Sequence, residues 1–486
     1  MRITSQHIAS LLEDIRFWIL ILFCIRLIGI SYAPIEVHHN WRQTTVTMVA
    51  RNFYEGEANP YTPQLDFGGS TTGISAMEFP VLNYLIYLFS LLFGYDHWYG
   101  RLINLVITSI GLWYFHQLIA GIFNARRAFV STLLLGSSLW FIFGRKIMPD
   151  TMAVSFVIMS MYLAWLYLSH ERTHLLCAFG AGLLFALGAL SKLPAALPMI
   201  LLPFILLRWG HASKKMLLTS VYLLCAIPVV HWYWIWTPYL TETYGMHHFF
   251  MGKSLATGSQ EIADHMGSSL ERIFIGPFKY IGGVAFLSAC VWSLYRKEKT
   301  LLCVLGSTAF ALIALMCKSG ETFYAHDYYI LPFVPTMALL IAYFMEQLPS
   351  RIAMLCITAI VLESLLNQTH DLRWKPSYDA YMDLETLMDQ FTPREALVAI
   401  NCAPNPSTMY FAHRKGWLCT NAELADHNQL RVLQDQGLQY ILICKDRFGR
   451  DLELPSQSLL FENDRFRLYQ LQPTESSFGI AALDKH

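Results

Sequence analysis

Phe17-Trp18-Ile19-Leu20-Ile21-Leu22-Phe23-Cys24-Ile25-Arg26-Leu27-Ile28-Gly29-Ile30-Ser31-Tyr32-Ala33-Pro34-Ile35 runs without a break of polarity except Arg26, then meets Glu36-Val37-His38-His39-Asn40-Trp41-Arg42-Gln43. As a helix the apolar run reaches about 28 Å, close to the hydrocarbon thickness of a bilayer. No small-residue cleavage pattern follows it, so it reads as a retained first span. Arg26 either snorkels or pairs. The cluster of acid, histidine and arginine at the apolar-to-polar crossing is costly at a membrane boundary unless it is used.

The rest of the chain extends this pattern. Of 486 residues, 55% are hydrophobic and 14% charged, the balance of a polytopic membrane protein. Further apolar runs cover Leu102 to Phe123, Ala128 to Phe143, Met152 to Leu168, Leu175 to Leu190, Leu193 to Leu207, Met216 to Trp236, Pro277 to Leu294, Leu301 to Cys317, Tyr329 to Phe344 and Ile352 to Leu366. With the first they predict about eleven transmembrane helices. Phe79 to Gly94 is apolar too, but spans only about 24 Å as a helix, and it is assigned to the interface. Arg126, Arg127, Arg172, Arg208, Lys214, Lys215, Arg296, Lys297, Lys299 and Arg351 then fall on the same side as Arg2 and Arg16. Dense Lys/Arg in short loops marks the cytoplasm. The opposite face receives the segments 36–101, 145–150, 237–276 and 318–327, which hold the ionisable residues of interest.

From about His370 the composition becomes that of a soluble protein. Apolar stretches Leu397 to Ile400 and Tyr440 to Cys444 read as strands, while Pro406 to Ala412 and Asn428 to Gln436 read as helices. The expected fold is therefore a polytopic α-helical membrane domain over 1–369, with interfacial helices, followed by a small extracytoplasmic α/β domain over 370–486. Zero formal net charge gives no support to nucleic-acid binding. Of ten cysteines, seven lie in apolar runs. Cys402, Cys419 and Cys444 lie in the tail, where one disulfide is conceivable in an oxidising compartment.

Several polar clusters lie at helix ends on the outer face. His39 to Tyr54 has Trp41, Thr45, Val49 and Phe53 at helical spacing, an amphipathic surface helix. Glu78 precedes Phe79-Pro80. Arg145 and Lys146 precede Met148-Pro149-Asp150, where the acid also suits a helix start. Ser191-Lys192-Leu193-Pro194 holds a lysine between apolar helices, expensive unless it meets an anion, water or a lipid headgroup. His326-Asp327-Tyr328-Tyr329 is a further cluster; aromatic belts explain the tyrosines but not the histidine. No spacing identifies a metal site and the sequence establishes no cofactor; a divalent metal, if one binds, would draw on Glu78, His247 and His248.

In order, Glu36, His39-Asn40-Trp41-Arg42-Gln43, Ala50-Arg51-Asn52-Phe53, Met77-Glu78-Phe79-Pro80, Met148-Pro149-Asp150, Leu190-Ser191-Lys192, His326-Asp327-Tyr328-Tyr329 and Tyr410 to Trp417 resemble the GT-C superfamily of membrane glycosyltransferases. That superfamily includes protein O-mannosyltransferases and the lipid A aminoarabinose transferase. The resemblance implies transfer of a sugar from a polyprenyl-phosphate donor to a hydroxyl of a lipid, glycan or protein, at the outer face of a bacterial plasma membrane. It implies Glu36 as base, with Asp150 as second carboxylate. Lys192, Arg145, His326 and Tyr328 would hold the donor phosphate, and His39, Arg42 and Glu78 would support the acceptor or the site. A phosphate ester leaves readily, so cations suffice on that side, and one displacement inverts the anomeric carbon. A lipid-linked oligosaccharide ligase is the nearest alternative. A secondary transporter would place its charges near the midplane in two related halves, and neither feature is visible.

Overall fold

The computed structural model describes residues 11–36, 38–248, 252–374, 376–445 and 452–472. Val37 lies outside them. Every apolar run forms helix, but among the described residues six helices are long and apolar enough to cross a membrane, or seven if the bent pair Met266–Phe274 and Lys279–Arg296 counts as one span. The six are Tyr99–Ile122, Pro149–Ser169, Ala212–Tyr244, Lys299–Ser319, Asp327–Glu346 and Ser350–Asn367.

The remaining runs fall short of continuous spans for local reasons. The first is helical only over Ile15–Arg26, and Gly29 follows with φ +66°, a left-handed turn open to glycine. Ser138 leaves the helical region and divides the second into Ala125–Ser137 and Leu139–Phe143. Leu193–Leu201 is a 3-10 helix containing Pro194 and Pro198, whose missing amides and fixed φ disfavour a regular α-helix. One of the six spans, Asp327–Glu346, also opens on a 3-10 stretch, Asp327–Phe333, with Pro332 inside it. Arg26 proves to be paired: it is buried, donates to Gln368 Oε1 and lies 5.7 Å from the Phe141 ring centroid.

Pro149–Ser169 and Asp327–Glu346 form the centre and are almost wholly buried, whereas Ser350–Asn367 is mostly exposed on the outside. Exposed Leu355, Phe310, Val284 and Leu183 lie on the outside, where lipid tails are an equally apolar surrounding. Small residues set the helix spacing. A Cβ at Gly111 would stand 2.5 Å from Ser155 Cβ, and one at Gly188 2.7 Å from the Ala153 carbonyl.

The tail builds a five-stranded mixed sheet, β1 (Leu397–Ile400), β2 (Lys415–Leu418), β3 (Leu438–Cys444), β4 (Ser458–Glu462) and β5 (Phe466–Gln470), in the order β2-β1-β3-β5-β4. β1 runs parallel to β2 and β3, while β5 is antiparallel to β3 and β4. The helices Ser407–Ala412 and His427–Asp435 lie where the sequence placed them. Cys402, Cys419 and Cys444 are buried, and none of the three is in a disulfide. One core joins the tail to the membrane part: Ala33, Met48, Phe53 and Met77 pack with Tyr410, Phe411 and Leu442.

This changes the role of the helix Asn40–Glu55. The sequence placed it flat on the membrane surface, but its residues from Gln43 to Arg51, and Phe53, are buried between the tail and the helix Val81–Phe93. Arg51 pins the junction, donating to Asp66 Oδ2 at 3.0 Å and to the Tyr410 carbonyl at 3.0 Å.

Candidate active site

The four segments assigned to one face converge at one end of the bundle. A backbone bridge joins Ala76 to His247. The Gln43 carboxamide oxygen accepts from the Ile147 amide at 3.0 Å, and His39 meets Asp327 at 2.7 Å. Between them lies a cavity of about 750 Å³, its polar wall formed by His39, Arg42, Glu78, Lys192, His248 and Lys318. Leu193, Leu197, Ala314 and Leu315 form an apolar wall, and Asn405 reaches in from the tail.

Backbone breaks present the polar wall. Lys192 is extended (φ −161°, ψ 108°) between the helix Leu175–Ser191 and the 3-10 turn that Pro194 begins. His326 is extended just ahead of the second 3-10 turn. His39, at φ 60° and ψ 25°, occupies the left-handed region at the start of Asn40–Glu55.

The centre of the wall is a carboxylate shared by two cations. Glu78 Oε1 accepts from Arg42 Nη2 at 2.6 Å and from Lys192 Nζ at 2.8 Å. Burial by itself raises the pKa of a carboxyl, but Arg42 and Lys192 outweigh it and hold Glu78 well below the ordinary carboxylate range. For Lys192 burial works against the charge, and Glu78 and Asp150 more than restore it. Lys192 Nζ also lies 5.6 Å from the centroid of the Tyr328 ring, which stacks on His326 at 5.2 Å.

Of the residues singled out from sequence, His39, Arg42, Glu78, Lys192, His248, His326 and Tyr328 line the cavity. Glu36, Arg145 and Asp150 do not. Glu36 is 1% exposed, with Arg101 Nε 3.0 Å and Arg145 Nη1 3.9 Å from Oε1 and Lys146 Nζ 3.7 Å from Oε2; Gln43 donates to Oε2 at 3.0 Å. Burial would raise its pKa, and the three cations overcome that and lower it. A base must reach the proton it removes, so the sealed position of Glu36 runs against the role the family resemblance implied. Arg145 is likewise spent on structure, donating to the carbonyls of Asp371 and Ile28 at 2.9 and 2.8 Å. Asp150 is 4% exposed and stands behind Lys192, Oδ1 to Nζ 3.9 Å, with Oδ2 buried and unpartnered among the described residues.

A metal finds poor ligands here. Among the described residues no three His, Cys, Asp or Glu side chains are grouped to hold one. Glu78 is committed to two cations, and His247 is absent from the cavity wall. Burial pushes the His248 pKa down to about 4, so it is neutral at pH 7.

Sequence reasoning missed Lys318, Asn405 and Asp371. Lys318 ends an apolar helix just before Gly320 and was a legible signal. Asn405 carried none, being one polar residue in a tail loop. Asp371 joins the buried charges by accepting from Lys146 Nζ at 2.9 Å.

Comparison with known proteins agrees with this architecture. Residues 77–234 match the model of a family described as dolichyl-phosphate-mannose-protein mannosyltransferase. Among solved structures, ArnT from Cupriavidus metallidurans in the apo state superposes with a TM-score of 0.61 at 11% identity, covering 94% of this chain and 99% of ArnT. The same protein bound to undecaprenyl phosphate gives 0.57 at 12% identity, with the same coverage. The archaeal oligosaccharyltransferase AglB from Archaeoglobus fulgidus, in complex with an inhibitory peptide and a dolichol-phosphate, gives 0.54 at 12% identity, covering 88% of this chain and 69% of AglB. No curated protein matches the sequence. The chain is an integral membrane protein.

Proposed function

We propose that this chain, whose fold is that of the GT-C superfamily, is a membrane glycosyltransferase that moves one sugar from a polyprenyl-phosphate carrier to a hydroxyl acceptor. The acceptor is a lipid, glycan or protein on the extracytoplasmic face of a plasma membrane. The observation that carries the reading is the cavity's two-sided wall. Leu193, Leu197, Ala314 and Leu315 suit an isoprenoid chain, and Arg42, Lys192 and Lys318 suit the phosphate joined to it.

In this reading Lys192 and Arg42 hold the phosphate and neutralise the charge it gains as the glycosidic bond breaks. Glu78 keeps the two cations together before substrate arrives. His326 and Tyr328 flank Lys192, and Asp150 supports it from behind. Glu36 organises the buried cations beneath the cavity, which fixes the helix Asn40–Glu55 and with it His39 and Arg42. Attack opposite the departing phosphate inverts the anomeric carbon.

Transfer of a whole oligosaccharide, as the likeness to AglB would suggest, fits less well. A cavity of about 750 Å³ is sized for a small molecule and suits one sugar with its phosphate. The test is transfer of radiolabel from polyprenyl-phosphate sugars in membranes containing the wild-type protein or Lys192→Met. Transfer by the wild type alone is expected. Silence from mannosyl, glucosyl and aminoarabinosyl donors alike would sink the reading.

A further inference from the structure

The cavity holds Arg42 and Lys192, among other cations, for a leaving phosphate, yet Glu78, its one acidic lining residue among the described residues, is a poor base. It is bonded to both Arg42 and Lys192, and a carboxylate so paired has little affinity for a proton. Glu36 and Asp150 stand away from the wall. A group that lines the cavity, has a free lone pair and is itself held in place remains to be found, and His39 has all three properties.

We propose that His39, held by Asp327, is the general base that takes the proton of the acceptor hydroxyl; the assignment rests on the glycosyl-transfer reading above. His39 Nε2 lies 2.7 Å from Asp327 Oδ1. A carboxylate there makes Nε2 the donor and leaves Nδ1 as the acceptor lone pair, the logic by which a carboxylate orients a catalytic imidazole. His39 Nδ1 has no hydrogen bond among the described residues. The ring is clamped by Phe143 and Tyr328, both 5.4 Å away between centroids. Its backbone sits at φ 60°, a conformation a histidine adopts at a cost, and such outliers gather at functional sites. The side chain gives no cap to the helix it begins, so it is spared for Asp327.

The step balances without another reactant. The acceptor oxygen bonds to the anomeric carbon and its proton passes to His39 Nδ1. The bond from that carbon to the phosphate oxygen breaks, and its electron pair leaves with the polyprenyl phosphate between Lys192 and Arg42. Asp327 stabilises the imidazolium, which afterwards gives its proton to water. Asp327 is thus a positioning residue and His39 the catalytic one.

The test is the transfer assay in membranes, with His39→Ala and Asp327→Asn and the pH dependence of kcat/KM. The charged and titratable groups facing His39 are Asp327, His38, His326 and Tyr328, with Lys146 and Arg272 acting on Asp327. A base works when unprotonated, so the wild-type rate climbs with pH on the acid side. His39→Ala is expected to lower kcat by about 10²- to 10⁴-fold with donor KM little changed, to lose that acid limb, and to regain activity with added imidazole. Asp327→Asn is expected to lower kcat by a smaller factor with donor KM little changed, because the imidazole loses the partner that fixes its tautomer and orientation. The limb should persist in His38→Gln and His326→Gln whatever their rates. An active wild type with undiminished kcat in His39→Ala overturns the assignment alone, as does lost activity that imidazole fails to restore. A wild type that transfers from no donor overturns glycosyl transfer itself.

Discussion

Lys192 Nζ lies 2.8 Å from Glu78 Oε1, a bond between residues 114 positions apart in the chain. Arg42 donates to the same oxygen from a third segment. Three pieces of chain that each end a helix or begin one are thereby fixed around a single carboxylate, and the cavity's cationic wall exists only because they meet.

Lys192→Met should lower kcat by about 10²- to 10³-fold, the effect of losing one preorganised group at a developing negative charge. Steady-state transfer with a fixed acceptor measures it. A change confined to donor KM would assign Lys192 to ground-state binding instead.

Glu36→Gln should act on stability. The substitution leaves Arg101, Lys146 and Arg145 facing a neutral amide in a buried site, a loss of about 3–5 kcal/mol by analogy with broken buried pairs. Thermal unfolding in detergent, followed alongside transfer per folded molecule, separates the two effects. Full thermal stability combined with abolished transfer would restore Glu36 to the chemistry.

His413 gives a pH dependence to the contact between tail and membrane part. Nδ1 meets Glu385 at 2.7 Å and Nε2 meets Glu55 at 2.9 Å, with Arg51 and Arg394 nearby. Burial lowers its pKa, but the two carboxylates outweigh burial and raise it. A raised folded pKa means the stabilisation is complete below the unfolded value of about 6.5 and disappears as pH rises through the folded one. Proteolysis or hydrogen exchange at the junction should therefore speed up from pH 6 to 9, and His413→Gln should remove most of that slope.

The Lys/Arg asymmetry predicts a topology with the tail outside. A cysteine at Asp435, exposed in the tail, should react with an impermeant maleimide in intact cells. One at Arg126 should react only after the membrane is opened. The reverse pattern would place the cavity on the cytoplasmic side and remove the extracytoplasmic reading.

Hydropathy alone located every apolar helix, because burial in lipid is paid for residue by residue and leaves its mark on composition. It did not reveal which runs are continuous. Pro194, Pro198 and Pro332 turn apolar sequence into 3-10 segments, and those interruptions carry Lys192 and Tyr328 to the cavity. In the tail, β1 and β3 were legible as short apolar runs, whereas β2 and β4 are edge strands with mostly part-exposed positions and β5 buries the charged Arg467 among its apolar residues. Chain order suggested that Glu36, the acid just after the first span, would face the substrate, yet Arg101 and Lys146 close over it.

By itself the sequence determined that this is a polytopic helical protein with polar clusters at its helix ends and a mixed α/β tail, since periodicity, charge bias and helix-end chemistry are local properties. Only the tertiary structure decided which of those residues share a cavity and which are sealed beneath it. Whether a carboxylate is a base or a buried counter-ion depends on the cations and the solvent that distant segments bring to it or take away, and that information is not written in neighbouring positions of the chain.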